Sequence, residues 1–153
     1  MGNTIVKYGI YGFFTGLILF LLVSWLGDQM DVSFRQIISY VTFFVVLSFV
    51  YFAIKYYRDN VNNGKIRFGK ALGIGILISV FAGIGTGIAD YIYTSVINPD
   101  FFINYAKTIE DQERKEEILT IGSGLAALYV IILTVIIGLA ISLISGLVLQ
   151  RKK

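Results

Sequence analysis

The chain has 153 residues, 56% of them hydrophobic and 15% charged, with a mean hydropathy of +0.76 and a formal net charge of +3. A soluble domain carries roughly a quarter charged residues, so this composition excludes an ordinary water-soluble domain, a disordered chain and a coiled coil, and points to a polytopic membrane protein. There is no His and no Cys, which excludes thiol catalysis, imidazole acid–base chemistry, zinc sites, disulfides and thiolate-held clusters.

The gaps between charges mark the elements. Tyr8–Gly27 is uncharged over 20 residues, Gln36–Ile54 over 19, Ala71–Ala89 over 19 and Ile118–Gln150 over 33. A helix needs about 20 apolar residues to cross a hydrocarbon core of about 30 Å, and it pairs its own backbone groups there. The gaps predict four membrane-spanning helices near 5–26, 36–57, 70–93 and 126–149. The first is longer than the apolar region of a signal peptide, about 7–15 residues, and no A-x-A cleavage pattern follows, so it reads as a retained span. It carries Gly12 and Gly16 at a spacing of four, with Gly9 nearby. The second is rich in Phe and Val with few small residues, which places it toward lipid or filling wider gaps. The third carries Ala71, Gly75, Ser79, Gly83 and Gly87, again every fourth residue. Small residues let backbones approach closely where lipid provides no hydrophobic driving force.

Asp90 is the one acid inside a predicted span. An intramembrane carboxylate is a functional candidate by default. Counted from Lys70, it lies roughly 30 Å along the helix at 1.5 Å per residue, near the far interface, where it either serves proton-coupled transport or simply contacts water, caps structure or pairs with Arg35 or a Tyr. Beyond it, Asn98-Pro99-Asp100 reads as a helix start, and a short amphipathic helix is expected over about 99–118. Lys107–Asp111, Glu110–Arg114 and Asp111–Lys115 are opposite charges four apart on it. Phe101, Phe102, Tyr105, Ala106 and Ile109 form its apolar side, suited to the membrane surface. This segment either docks a partner or only returns the chain to the membrane. Residues 118–125, with Gly122-Ser123-Gly124, lead into the fourth span, which carries Thr134, Gly138, Ser142 and Gly146 at a spacing of four. Spans one, three and four are therefore expected to pack closely, with a homodimer seam as the competing use of these faces.

Lys and Arg mark the cytoplasmic side. Lys7, Lys55, Arg58, Lys65, Arg67, Lys70, Arg151, Lys152 and Lys153 fall at one end, with the single acid Asp59. The other end has Arg35, Lys107, Arg114 and Lys115 against eight acids: Asp28, Asp31, Asp100, Glu110, Asp111, Glu113, Glu116 and Glu117. Both termini are expected in the cytoplasm of a bacterial cell, with the protein in the inner membrane. Trp25, Phe34, Tyr51, Tyr56, Tyr57, Tyr91 and Tyr93 read as interfacial anchors. The basic residues follow the membrane edge, so their expected partners are anionic lipid headgroups and not nucleic acid. Gly83-Ile84-Gly85-Thr86-Gly87 lacks the strand and the ribose-binding acid of a nucleotide fingerprint. No Ser stands beside a Lys or carboxylate as an activated nucleophile would, and no enzyme activity or cofactor is expected.

Tyr57-Arg58-Asp59, Asn62-Asn63-Gly64-Lys65-Ile66-Arg67-Phe68-Gly69-Lys70-Ala71-Leu72, Asn98-Pro99-Asp100-Phe101 with Tyr105, and the closing Leu-Ile-Ser-Gly-Leu-Val-Leu before a basic tail form a pattern. It resembles the domain-of-unknown-function family 4199, small four-helix membrane proteins of Bacteroidetes-type bacteria. The resemblance implies the fold and location, and it brings no catalytic residues. The inner loop has its own reading: Asn62-Asn63-Gly64 is a turn signal, Phe68 dips into the interface, and Lys65, Arg67 and Lys70 hold headgroups or a partner. The expected fold is an all-α, four-transmembrane-helix bundle over 1–153. Its expected function is that of a non-enzymatic accessory or partner-binding subunit; the alternative is a small oligomeric transporter or channel using Asp90.

Overall fold

The computed structural model describes residues 1–150, the side chains of Val32 and Gln36 apart. The basic tail Arg151-Lys152-Lys153 lies outside the described residues. Six α-helices follow in order: α1 (Gly2–Gly27), α2 (Val32–Tyr56), α3 (Phe68–Ile92), α4 (Phe101–Ala106), α5 (Gln112–Thr120) and α6 (Ser123–Leu149). There is no strand among the described residues. Four helices are long and apolar enough to cross a membrane, so the protein is an all-α bundle of multi-pass type. Two of them continue past their α-helical part through a wider turn, Tyr57–Val61 after α2 and Tyr93–Ile97 after α3. Each of these turns is closed by a bond from an Asn backbone N–H to a Tyr carbonyl five residues back, Asn62 to Tyr57 at 3.0 Å and Asn98 to Tyr93 at 2.8 Å. Such π-type turns are rare.

The bundle is organised around α3, the most buried of the four. Against α6 the small residues meet reciprocally. A Cβ added at Gly75 would collide with Ser142, one at Gly138 with Ser79, and one at Gly87 with Ile131. Gly146 lies against Ala71 and Phe68. The numbers rise on α3 as they fall on α6, so the two helices are antiparallel. Against α1 the register runs the same way on both helices: Gly9 faces Phe81, Gly12 faces Ala82 and Gly16 faces Thr86. Gly85 abuts the carbonyl of Phe13, where a Cβ has no room. Hydroxyls complete these seams without leaving polar atoms unpaired. Ser79 Oγ donates to the Gly75 carbonyl at 2.8 Å, Ser142 Oγ donates to the Leu72 carbonyl at 3.3 Å, and the Thr86 and Thr134 hydroxyls bond each other at 3.2 Å.

Spans one and four each dock on α3. Of the two placements expected for the second span, toward lipid or in the wider gaps, its core residues take the second. Val46, Leu47, Val50, Ala53 and Ile54 of α2 are fully buried, because their bulk fills the space that the side-chain-poor α3 leaves open. Tyr57 and Tyr93 are not interfacial anchors; both are buried, at 5% and 2% exposure. The outer segment is not one helix over 99–118. It breaks between α4 and α5, where the Asp111 carboxylate accepts from the backbone N–H of Glu113 at 3.0 Å and of Arg114 at 3.3 Å. An N-cap residue has a non-helical backbone, so Asp111 starts a new helix and the charge pairs four apart do not share one surface.

Both ends of the chain's described part lie at the same end of the bundle. There Tyr8 of α1 packs on Tyr56 of α2 with ring centroids 5.7 Å apart, and Lys7 Nζ lies 5.4 Å above the Tyr56 ring. At the opposite, acidic end a polar latch ties α1, α2 and α3. Tyr93 Oη donates to Asp28 Oδ1 at 2.5 Å, Asn98 Nδ2 donates to Asp28 Oδ2 at 3.3 Å, and Arg35 forms an ion pair with Asp28 at 3.5 Å. The Arg35 guanidinium also stands 5.7 Å from the Phe101 ring centre, which orients α4. Asn98 therefore serves the latch through its side chain, and the residue preceding α4 is Asp100, which makes no side-chain cap bond.

Two outcomes follow from this packing. Gly138→Ala pushes a methyl into Ser79 and lowers stability by about 1–3 kcal/mol, the usual cost of overpacking. Gly73→Ala, with open space around it, leaves stability unchanged or slightly higher; thermal unfolding in detergent compares the two, and equal midpoints would refute close packing at Gly138. In the latch, Asp28→Ala strands the buried Tyr93 hydroxyl and costs about 1–3 kcal/mol. Tyr93→Phe costs less, and the double variant costs no more than Asp28→Ala alone. Strict additivity in that double-mutant cycle would show that the hydroxyl and carboxylate are not coupled.

Candidate functional site

The stripe of α3 that faces α6 runs through Gly83 and Gly87 and continues at helical spacing to Asp90 and Thr94. At Gly87 the neighbour is still close. At Asp90 the small-residue seam ends and a recess of about 550 Å³ opens. Its walls come from four elements: Asp90 and Thr94 of the third span, Phe101, Phe102 and Tyr105 of α4, Ile118 at the end of α5 with Ile121 just after it, and Leu125, Ala126, Tyr129 and Val130 of α6. The lining is almost entirely apolar. Asp90 is its single charged residue.

The Asp90 carboxylate is half-buried, and its Oδ2 is buried with no hydrogen-bond partner. Two threonine hydroxyls of these helices are committed to backbone carbonyls. Thr94 Oγ1 donates to the Asp90 main-chain carbonyl at 2.9 Å, and Thr134 Oγ1 donates to the Val130 carbonyl at 2.7 Å. Arg35, the cation expected as a partner, is paired with Asp28 instead. The third helical run continues through Ile97, so Asp90 lies seven residues before its end, about 10 Å along the helix. A carboxylate in an apolar wall without a donor is costly, and a ligand that donates to it would remove that cost.

The aromatic wall is ordered. Phe101 and Tyr105 stack with centroids 6.1 Å apart and planes 4° from parallel, and Phe102 meets Phe101 edge-on at 5.3 Å. These residues were legible as the apolar side of the outer segment, but that side turns toward the bundle and not only toward the membrane surface. Leu125 and Tyr129 carried no signal within a uniformly apolar run. A second, polar recess of about 910 Å³ adjoins the latch, lined by Asp28, Arg35, Asn98, Asn104 and Arg114 among others.

At the basic end the loop between α2 and α3 is built by its own residues. Asn63 and Gly64 take consecutive left-handed conformations, φ 52° and 75°, which favour Asn and Gly. Gly64 N–H donates to the Arg58 carbonyl at 2.7 Å, and Asn62 Nδ2 donates to the Lys65 carbonyl at 2.6 Å. Arg58 pairs with the adjacent Asp59 at 2.6 Å. Lys65, Arg67 and Lys70 are exposed. Phe68 is half-buried against Gly146, and the side chain that enters the core is Ile66, 2% exposed. The packing candidates Gly12, Gly16, Gly75, Ser79, Gly83, Gly87, Gly138, Ser142 and Gly146 all lie buried between helices.

Neither the curated proteins nor the solved structures include a match to this chain. The family described as "Protein of unknown function (DUF4199)" matches residues 7–151. That match takes in the turn-forming loop, the third span with Asp90, and the latch residues Tyr93 and Asn98. The chain belongs to the DUF4199 family of proteins of unknown function.

Proposed function

We propose that this protein is a non-enzymatic accessory subunit of the bacterial inner membrane, and that it binds its partner in the recess around Asp90. The observation that carries this reading is the unpartnered Asp90 oxygen in a wall of apolar side chains. Binding sites characteristically combine an apolar lining with few placed polar groups. Catalysis has less support: the sequence has no imidazole and no thiol, and Asp90 stands without a second carboxylate or a cation in the recess. The exposed Lys65, Arg67 and Lys70 suit anionic headgroups on the cytoplasmic face. With the basic end in the cytoplasm, both termini lie inside and the recess faces the outer leaflet.

A small oligomeric transporter or channel is the second reading, favoured by the same carboxylate inside a span. The close α3–α6 seam beyond Gly87 weighs against a path through one chain. Transport through Asp90 requires that Asp90→Asn abolish proton-coupled flux in proteoliposomes while the bundle stays folded.

Affinity purification from the native host in mild detergent, with protein and lipid mass spectrometry, tests the leading reading. A specific component is expected with the wild type and reduced about tenfold or more with Asp90→Asn, the loss of one charge-assisted hydrogen bond. Repeated recovery of the bare protein would defeat it. A reporter fused after Lys153 is expected to be active only in the cytoplasm, and activity on the outer side would reverse the orientation.

A further inference from the structure

We propose that the Asp90 recess binds a membrane-resident amphiphile carrying a primary ammonium group. This rests on the recess being the binding surface and names its occupant. Three features of the recess select that chemistry. Asp90 is the one charged side chain lining the recess, no cation lines it and the Asp90 Oδ2 is without a donor, so an ammonium at the carboxylate would supply the missing charge and N–H donors. Phe101, Phe102, Tyr105 and Tyr129 supply ring faces and edges beside it, and aromatic faces attract ammonium groups. A quaternary ammonium would meet the rings but has no N–H for the orphaned oxygen. A carboxylate headgroup would be repelled by Asp90, and an alcohol would leave its charge unpaired.

The remaining lining selects the tail and the route. Leu125 and Tyr129 line the recess yet are 64% and 68% exposed on the outer face of α6. That face is apolar along its length, with Leu128, Ile132 and Ile136 also exposed, as suits contact with lipid chains. The recess is therefore open sideways to the bilayer, and an occupant enters from the membrane with its chain against α6. Asp90 lies about 10 Å inside the end of the span, a depth within reach of a headgroup drawn slightly below the interface. The volume of about 550 Å³ accommodates a headgroup with the upper part of one chain, within the range of about 300–1,000 Å³ of small-molecule sites.

The test uses the full chain in neutral maltoside detergent and four probes with one tail: dodecylamine, dodecyltrimethylammonium, dodecanol and dodecanoate. Calorimetry is expected to show dodecylamine binding about tenfold or more tighter than each of the others, and Asp90→Asn is expected to erase that preference. Leu125→Trp, at an exposed position that tolerates bulk, is expected to weaken binding by obstructing the mouth, and it keeps the test decisive if Asp90→Asn does not fold. In nanodiscs, native mass spectrometry is expected to find phosphatidylethanolamine retained over phosphatidylglycerol and phosphatidylcholine by the wild type only. Equal binding of the four probes, or preferential retention of phosphatidylglycerol, would overturn the proposal. A protein partner captured through Asp90 without any ammonium preference would also overturn it while leaving the accessory-subunit reading intact; no capture and no preference would remove both.

Discussion

The structure depends on how closely the backbone of α3 approaches its neighbours. Gly75 and Gly87 lie against α6, and Gly85 lies against the Phe13 carbonyl of α1. In lipid, apolar surface gains little by being hidden from other apolar surface, so association rests on van der Waals contact and interhelical hydrogen bonds. A helix without bulky side chains on two faces maximises the first. Ser142 supplies the second through the Leu72 carbonyl, and Thr86 and Thr134 through each other, while Ser79 bonds the Gly75 carbonyl of its own helix. The bulk missing from α3 is supplied by Val46, Leu47, Val50 and Ile54 of α2. The division of labour between a small-residue hub and a large-residue wedge explains why two neighbouring spans differ so much in composition.

The two ends of the bundle are built on different principles. The basic end is closed locally: aromatic rings of α1 and α2 stack, and the loop folds on itself through Asn62, Asn63 and Gly64. Its cations Lys65, Arg67 and Lys70 remain exposed. The acidic end is closed over long sequence distance, with Asp28 accepting from groups 65 and 70 residues away. Arg35 is paired with Asp28, and no cation lines the recess around Asp90.

Spans were legible because an uncharged run of about 20 residues has one physical meaning in a membrane protein. Charge segregation and the every-fourth spacing of small residues were legible for the same reason: each is a one-dimensional pattern with a one-dimensional cause. What was not legible depends on pairs far apart in sequence. Nothing near Asp28 announces Tyr93, and the competition of Asp111 for a capping role outweighed the charge spacing that suggested a continuous helix. Asp90 was recognisable as an exception, yet its surroundings were not. The wider turn Tyr93–Ile97, which lengthens the third helical run, carried no signal in the sequence. Tyr57 and Tyr93 were misplaced because their ring type suits both an interface and a buried site with a polar contact.

The recess has a consequence for the order of assembly. Its walls include Leu125, Ala126, Tyr129 and Val130, all from α6, which rests mainly on α3. The recess does not exist until α6 has docked. By linkage, whatever binds the docked form and not the undocked one holds α6 in place, by an amount set by its concentration relative to its dissociation constant. Occupancy would then act as a clasp on the seam between α6 and α3.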